Sequence, residues 1–162
     1  MAAGLGTRMG NKVPKQFIEI LGKPIIAYTL YQFKAIENLK TIIVLPKKNF
    51  LYWKNYLSNT IQDEKIIYAK GGNKRFISVK NGLKKIKDNN GIVAIHDGVR
   101  PMLSNYLINN LFDNAEKLGN AIPFTPIINS LRKVKGGENK TVNRENYVNI
   151  QTPQVFKIKI IN

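Results

Sequence analysis

Short β-branched runs alternate with longer amphipathic stretches, and that alternation constrains the fold more than any other feature of the chain. Thr41 to Leu45 is a buried-strand run closed by Pro46, and Ile66 to Ala69 is a second, closed by Gly71-Gly72. Ile92 to Ile95 is closed by His96-Asp97-Gly98, and Ala121 to Phe124 ends near Pro126. Pro24 suits the first turn of a helix with Ile26, Leu30 and Phe33 on one face. Asn49 to Leu57 reads as a second helix, and Phe76, Val79, Leu83 and Ile86 line one face of a third. Ser104 can cap a fourth, with Ile108, Leu111, Phe112, Ala115 and Leu118 facing the core and Gly119 as its stop. Repeated strand–helix alternation predicts an α/β fold, with a mostly parallel sheet and helices on both faces. The 162 residues suit a single domain, without internal repeat or linker.

The segment 127–150 departs from the pattern. Two extended stretches, Ile127–Val134 and Thr141–Ile150, flank the turn Lys135-Gly136-Gly137-Glu138. It reads as a β-hairpin arm projecting from the sheet.

In open α/β sheets, ligands bind beyond the carboxyl ends of the strands. Three polar or Gly-rich segments fall there: Gly4–Gly10, Gly71–Arg75 and His96–Pro101. In the first, small residues around Gly4 and Gly6 let several backbone N–H groups approach one phosphate chain. Arg8 supplies a planar fork for phosphate oxygens and Lys15 a compact charge. No Gly-Lys-Ser/Thr follows at Walker spacing. In the second, backbone groups at a helix start can bond the edge of a planar base, with Ser78 adding a hydroxyl; a plain Gly-Gly loop is the alternative. In the third, Asp97 can bind sugar hydroxyls or help hold a metal and Arg100 can fix a substrate, or the two form a structural ion pair. His96, the only histidine, reads as a hydrogen-bonded structural group.

Composition narrows the function classes. With no cysteine and one histidine, thiolate sites, disulfides, a cysteine nucleophile and a His-clustered metal site are excluded. No apolar run is long enough to span a membrane, and no secretion signal precedes the first loop, so a cytoplasmic location is expected. The net charge of +16 raises nucleic-acid binding, but only five of the 26 basic residues are Arg, and the lysines are scattered. Lys, Asn and Ile make up 63 of the 162 residues, a bias consistent with AT-rich coding, and a solvated Lys-rich surface accounts for the charge.

The motifs occur in a fixed order: Ala2-Ala3-Gly4-Leu5-Gly6-Thr7-Arg8-Met9-Gly10, Pro14-Lys15-Gln16-Phe17, Gly71-Gly72-Asn73-Lys74-Arg75-Phe76-Ile77-Ser78-Val79, His96-Asp97-Gly98-Val99-Arg100-Pro101, and Gln151-Thr152-Pro153-Gln154-Val155-Phe156. As a set they resemble the 2-C-methyl-D-erythritol 4-phosphate cytidylyltransferases of isoprenoid precursor biosynthesis, across essentially the whole chain. The ribitol 5-phosphate cytidylyltransferases share much of the set and are the alternative; a non-catalytic basic nucleic-acid-binding protein is the alternative from another class. The resemblance implies a Rossmann-like nucleotidyltransferase, a homodimer joined through the arm, that uses Mg²⁺ held mainly by substrate phosphates. Its substrates would be CTP and a polyol phosphate, with neither nucleic acid nor membrane as partner. It implies that Ala2, Ala3, Gly4 and Gly6 form the CTP loop, and that Gly72, Asn73 and Ser78 recognise cytosine. Arg8 and Lys15 would be catalytic, stabilising charge on the phosphates. Asp97, Arg100 and Thr152 would contact the substrate, and Ser130 and Arg144 would reach it from the arm of the other subunit.

Some residues depart from the family pattern. Asn129-Ser130 stands where Asp-Thr is usual, with the hydroxyl kept, and Asn73 and Asn143 stand where acids are common. The family also implies a strand ahead of the first loop and a late Lys at the phosphates. The expectation is therefore a chain lacking its first strand and C-terminal segment, with little activity as given.

Overall fold

The computed structural model describes residues 1–4 and 13–161. Pro14 leads into a 3₁₀ turn, Lys15–Phe17, which buries Gln16 and Phe17. A short antiparallel hairpin follows, β1 (Glu19–Ile20) and β2 (Lys23–Pro24). Pro24 is the N-cap of helix α1 (Ile25–Gln32), one position before the first turn, where its missing N–H costs no hydrogen bond. Ile26 is buried, Leu30 packs on the same core and Phe33 closes the helix, as the spacing predicts.

Strand β3 (Ile42–Leu45), helix α2 (Phe50–Ile61) and strand β4 (Ile67–Lys70) form a strand–helix–strand unit. The two strands run parallel, with Ile42 opposite Ile67 and Leu45 opposite Lys70. Helix α2 begins after Asn49 as expected and runs on past Leu57. Helix α3 (Arg75–Leu83) then packs on β3 and β4, but not by the expected face. Phe76 is 65% exposed, whereas Ser78 and Gly82 are buried. The physical reason is closeness: a Cβ on Gly82 would stand 2.9 Å from Val44 Cγ2, so the helix approaches the strand through its small residues. Phe76, Val79, Leu83 and Ile86 instead line a surface groove with Ile161.

Strand β5 (Ile92–Ile95) leads to helix α4 (Asn105–Leu118). Ser104 caps it by accepting a hydrogen bond from Leu107 N at 3.2 Å, and Gly119 ends it at φ 95°. Ile108, Leu111 and Ala115 face inward; Leu118, on the flank of that stripe in the last turn, is 75% exposed. The expected strand from Ala121 to Phe124 is divided into β6 (Asn120–Ala121) and β7 (Phe124–Pro126). Pro123 separates them, because it has no N–H to donate to a ladder.

The arm is built from β8 (Leu131–Lys135) and β9 (Glu138–Val142), joined by Gly136-Gly137 at φ 58° and 85°. Positive φ at both positions is what a two-residue hairpin turn needs. After a 3₁₀ turn at Arg144–Asn146, β10 (Val148–Ile150) pairs antiparallel with β7 to make the stalk. Strand β11 (Gln154–Lys157) then inserts antiparallel between β5 and β6, and α5 (Ile158–Ile161) follows. Among the described residues, parallel pairing is therefore confined to β3 and β4. The α/β class is as expected; the mostly parallel sheet is realised only in part.

Two cores hold these layers. Ala2, Phe17, Ile26, Ile43, Leu45, Leu57 and Ile66 form the larger one, and Leu111, Ala115 and Val155 centre the smaller. The backbone of Met1 and Ala2 ties the two sheets together. Ala2 N donates to Val44 O at 2.9 Å, Met1 N donates to His96 O, and Met1 O accepts from Gly98 N at 2.8 Å.

Candidate functional site

Of the three segments expected to converge, Gly71–Arg75 and His96–Pro101 meet through Arg75 and Asp97, whereas Gly4–Gly10 lies outside the described residues apart from Gly4. Ala2–Gly4 passes beside β3, Gly71–Arg75 leaves β4, and His96–Pro101 leaves β5. Gly6 and Arg8 lie outside the described residues.

The first contact is between Ala3 and the Gly71-Gly72 loop. A Cβ on Gly71 would fall 2.5 Å from Ala3 Cβ, 2.9 Å from Leu45 O and 3.2 Å from Ser78 Oγ. Only glycine lets these backbones meet so closely. Gly71 N also donates to Leu45 O at 2.7 Å, extending the ladder into the loop.

Ser78 acts on that loop from beneath. It is 2% exposed, its hydroxyl accepts from Gly72 N at 2.9 Å, and it donates to Lys74 O at 3.2 Å. Its place is under the loop, shaping the Gly72–Lys74 backbone. Asn73 is exposed at the loop's tip.

The second contact is electrostatic. Arg75 Nη2 lies 3.2 Å from Asp97 Oδ1, and Arg100 Nε lies 3.3 Å from Asp97 Oδ2. Arg100 Nη1 also donates to Gln151 Oε1 at 2.9 Å, which brings in the segment ahead of β11. Next to it, Thr152 is buried and its Oγ has no partner among the described residues. Asp97 and Arg100 are therefore gathered together, as the structural ion pair of the alternative reading, and Thr152 follows Arg100's partner Gln151 in the chain. Arg75 and Gln151 complete the cluster. They were not singled out from sequence, although Arg75 stands inside the Gly-Gly motif and Gln151 opens the Gln-Thr-Pro-Gln motif.

His96 is structural, as expected. Its Nε2–H donates to Arg100 O at 3.0 Å, and its ring packs 5.3 Å from that of Phe33. Burial lowers its pKa, with Nδ1 left unpartnered among the described residues, so the neutral ring is the stable form. Thr29 Oγ holds the adjacent turn by donating to Gly98 O at 3.0 Å.

Lys15 is exposed on the 3₁₀ turn, while its neighbours Gln16 and Phe17 point inward. The Phe17 ring stacks on Trp53 at 3.9 Å and 6°, which anchors the turn to α2. Ser130 and Arg144 are not brought to this cluster. Both are exposed on the arm, where Arg144 donates to Ile128 O.

Among the described residues, such a site presents backbone groups, fixed guanidinium ions and one carboxylate, and no nucleophile activated by a base. That inventory suits positioning and charge stabilisation of a phosphorylated ligand more than covalent chemistry. Among the described residues, no group of three or more His, Cys, Asp or Glu is placed to hold a metal ion.

Known proteins give the same direction. The family model for 2-C-methyl-D-erythritol 4-phosphate cytidylyltransferase matches residues 1–162. The enzyme of that name from Bacteroides thetaiotaomicron is 36% identical over 162 residues, covering 99% of this chain and 74% of its relative. The one from Azobacteroides pseudotrichonymphae is 42% identical over 164 residues, covering 99% and 72%. Among solved structures, the Francisella tularensis cytidylyltransferase superposes with a TM-score of 0.78 at 28% identity, covering 98% of this chain and 70% of the other. The Anaerococcus prevotii 4-diphosphocytidyl-2C-methyl-D-erythritol synthase gives 0.75 at 30%, covering 99% and 68%. The match spans the whole chain and every motif quoted from it, and the chain belongs to the 2-C-methyl-D-erythritol 4-phosphate cytidylyltransferase family.

Proposed function

We propose that this protein joins CTP to 2-C-methyl-D-erythritol 4-phosphate, in isoprenoid precursor biosynthesis. A phosphate oxygen of the sugar phosphate attacks the α-phosphorus of CTP, the bond to the β-phosphate oxygen breaks, and pyrophosphate leaves. The observation that carries the reading is the meeting of Ala2–Gly4, Gly71–Arg75 and Asp97–Arg100 at one edge of the sheet, in a chain whose family is this cytidylyltransferase.

Within that reading, Ala2, Ala3, Gly4 and Gly6 line the CTP phosphates, and Gly72 and Asn73 meet the cytosine edge. Ser78 supports them by fixing Gly72. Arg8 and Lys15 stabilise the negative charge that grows on the phosphates as the bond breaks. Asp97, Arg100 and Thr152 receive the sugar phosphate, with the Arg100 guanidinium supplying the positive charge.

The donor set fits a Mg²⁺ that is held mainly by the triphosphate, since Asp97 is already shared by two guanidinium groups. Such an ion would neutralise the departing pyrophosphate.

The arm is the proposed dimer contact. Ile128, Val134 and Tyr147 are 82%, 70% and 48% exposed, more apolar surface than an isolated hairpin needs, and a partner's Ser130 and Arg144 would then complete the substrate site. A cytoplasmic location is part of the proposal; no helix among the described residues is long and apolar enough to cross a membrane.

The test is pyrophosphate release by the purified full chain given CTP, Mg²⁺ and either methylerythritol phosphate or ribitol phosphate. Release with the first and not the second is expected. No release with either, from this chain or from a version extended at both ends to the length of its relatives, overturns the reading, and sedimentation as a monomer at micromolar concentration overturns the dimer.

A further inference from the structure

Gln16 is a fully polar side chain sealed into the larger core, at 2% exposure, and nothing in the proposed chemistry uses it directly. Its Nε2 donates both hydrogens, to Ala2 O at 2.7 Å and to Gly4 O at 2.9 Å. A single carboxamide thus grips two carbonyls, two residues apart, on the segment proposed to face the triphosphate. Its own base is rigid. Phe17 N donates to Pro14 O at 2.9 Å, Ile25 N donates to Ile18 O at 3.0 Å, and Phe17 is held between Trp53 and the edge of Tyr56.

We infer that Gln16 is the positioning residue of the nucleotide loop, and that it also sets the distance between that loop and Lys15. The inference rests on the cytidylyltransferase reading for the identity of the ligand. In a trans peptide the N–H points opposite to the C=O. Drawing Ala2 O toward Gln16 therefore turns Ala3 N–H away from it, and the same grip on Gly4 O fixes the far end of the segment. Loop donors aimed before the ligand arrives need not reorganise when it binds. Lys15 belongs to the same turn, so each contact from Gln16 also fixes the turn that carries the Lys15 ammonium against the loop.

The residue type follows from the geometry. Two carbonyls demand two hydrogens from one side chain of this length, and a carboxamide provides them. An ionised Glu would face both carbonyls with acceptors, in a site where an unpaired charge is costly. Met would fill the volume and leave both carbonyls unbonded. Asn keeps the group but is one methylene short.

The test uses Q16M, Q16E and Q16N in the full chain, with L111A, in the smaller core, as a variant remote from the loop. CTP binding is read by calorimetry, kcat and KM by pyrophosphate release, and folding by near-UV circular dichroism and Tm. Q16M is expected to fold and to bind CTP about tenfold to a hundredfold more weakly, the scale on which small misplacements act. Q16N should fall between it and wild type, and Q16E should be the weakest. KM for the sugar phosphate at saturating CTP should stay within about twofold in Q16M, whereas a general loosening would raise both. L111A, with a comparable loss of Tm, should keep wild-type kinetics.

Wild-type CTP affinity in folded Q16M overturns the inference. So does a set in which no Gln16 variant folds, because Gln16 would then serve the core alone. If wild type binds CTP but releases no pyrophosphate, the reaction reading fails while the calorimetric comparison still decides the role of Gln16.

Discussion

Arg75 reaches from the loop after β4 to Asp97 in the loop after β5, Nη2 to Oδ1 at 3.2 Å, and thereby couples the proposed base-binding loop to the proposed substrate-binding loop. The pair is partly exposed, with side-chain accessibilities of 52% and 28%. Its contribution to stability is therefore small, below about 1 kcal/mol. Its effect on catalysis should be larger. R75Q and D97N are each expected to lower kcat/KM about tenfold or more, and the double variant to lose less than the product of the two. Strict multiplication of the losses would show that the two residues act independently.

Lys15 separates charge from packing, because its side chain is exposed while the turn beneath it is buried. K15M should leave Tm within about 2 °C of wild type and lower kcat by roughly 10²- to 10³-fold, the loss typical of one transition-state donor. A kcat within threefold of wild type would remove Lys15 from the chemistry.

His96 makes stability depend on pH in a fixed direction. Its folded pKa lies below the ordinary value of 6.5 because burial disfavours the charged ring. Between the folded pKa and 6.5 the unfolded chain binds more protons, so stability is fully present above about 6.5 and falls as the pH drops through that window. H96Q can keep a donor to Arg100 O and cannot titrate there. Thermal melts from pH 8 to pH 5 should show wild type losing more Tm than H96Q. Parallel curves would place the acid sensitivity elsewhere.

Gly71 has no room for a methyl group. In G71A the new Cβ would press on Ala3 Cβ and Leu45 O, at 2.5 and 2.9 Å before relaxation. The cost should be about 1–3 kcal/mol by urea unfolding, as for other overpacked sites. CTP affinity should fall as well, because Ala3 and the Gly71-Gly72 loop must move apart. A stable G71A with unchanged affinity would mean that the two segments can separate without consequence.

Much of this was readable from sequence because local chemistry decides it. Pro46 and the Gly71-Gly72 pair end strands, Ser104 and Gly119 bound α4, and the glycine pair at 136 and 137 turns the arm. The misreadings were tertiary. Apolar spacing gave α3 an inward face at Phe76, yet Gly82 wins because a side chain of zero length lets the helix settle on Val44. Strand direction was not visible either. Nothing local to Gln154–Lys157 says that it runs antiparallel between β5 and β6. At the site, motif membership marked the loops but not the connections. Gln16 and Arg75 stand within their motifs, and only the fold shows that each bridges one motif to another.

The insertion of β11 bears on the order in which the molecule can be made. Leu111 and Ala115 find their buried partner in Val155, and β5 and β6 have no ladder joining them until residues 154–157 lie between them. A ribosome must therefore release the chain through Lys157 before that half of the molecule closes, whereas the β3–β4 unit has its own strands and helix from residues 42 to 70. The nascent chain carries a self-contained half and an open one for the time it takes to add nearly ninety residues, about 4–17 s at bacterial elongation rates of roughly 5–20 residues per second.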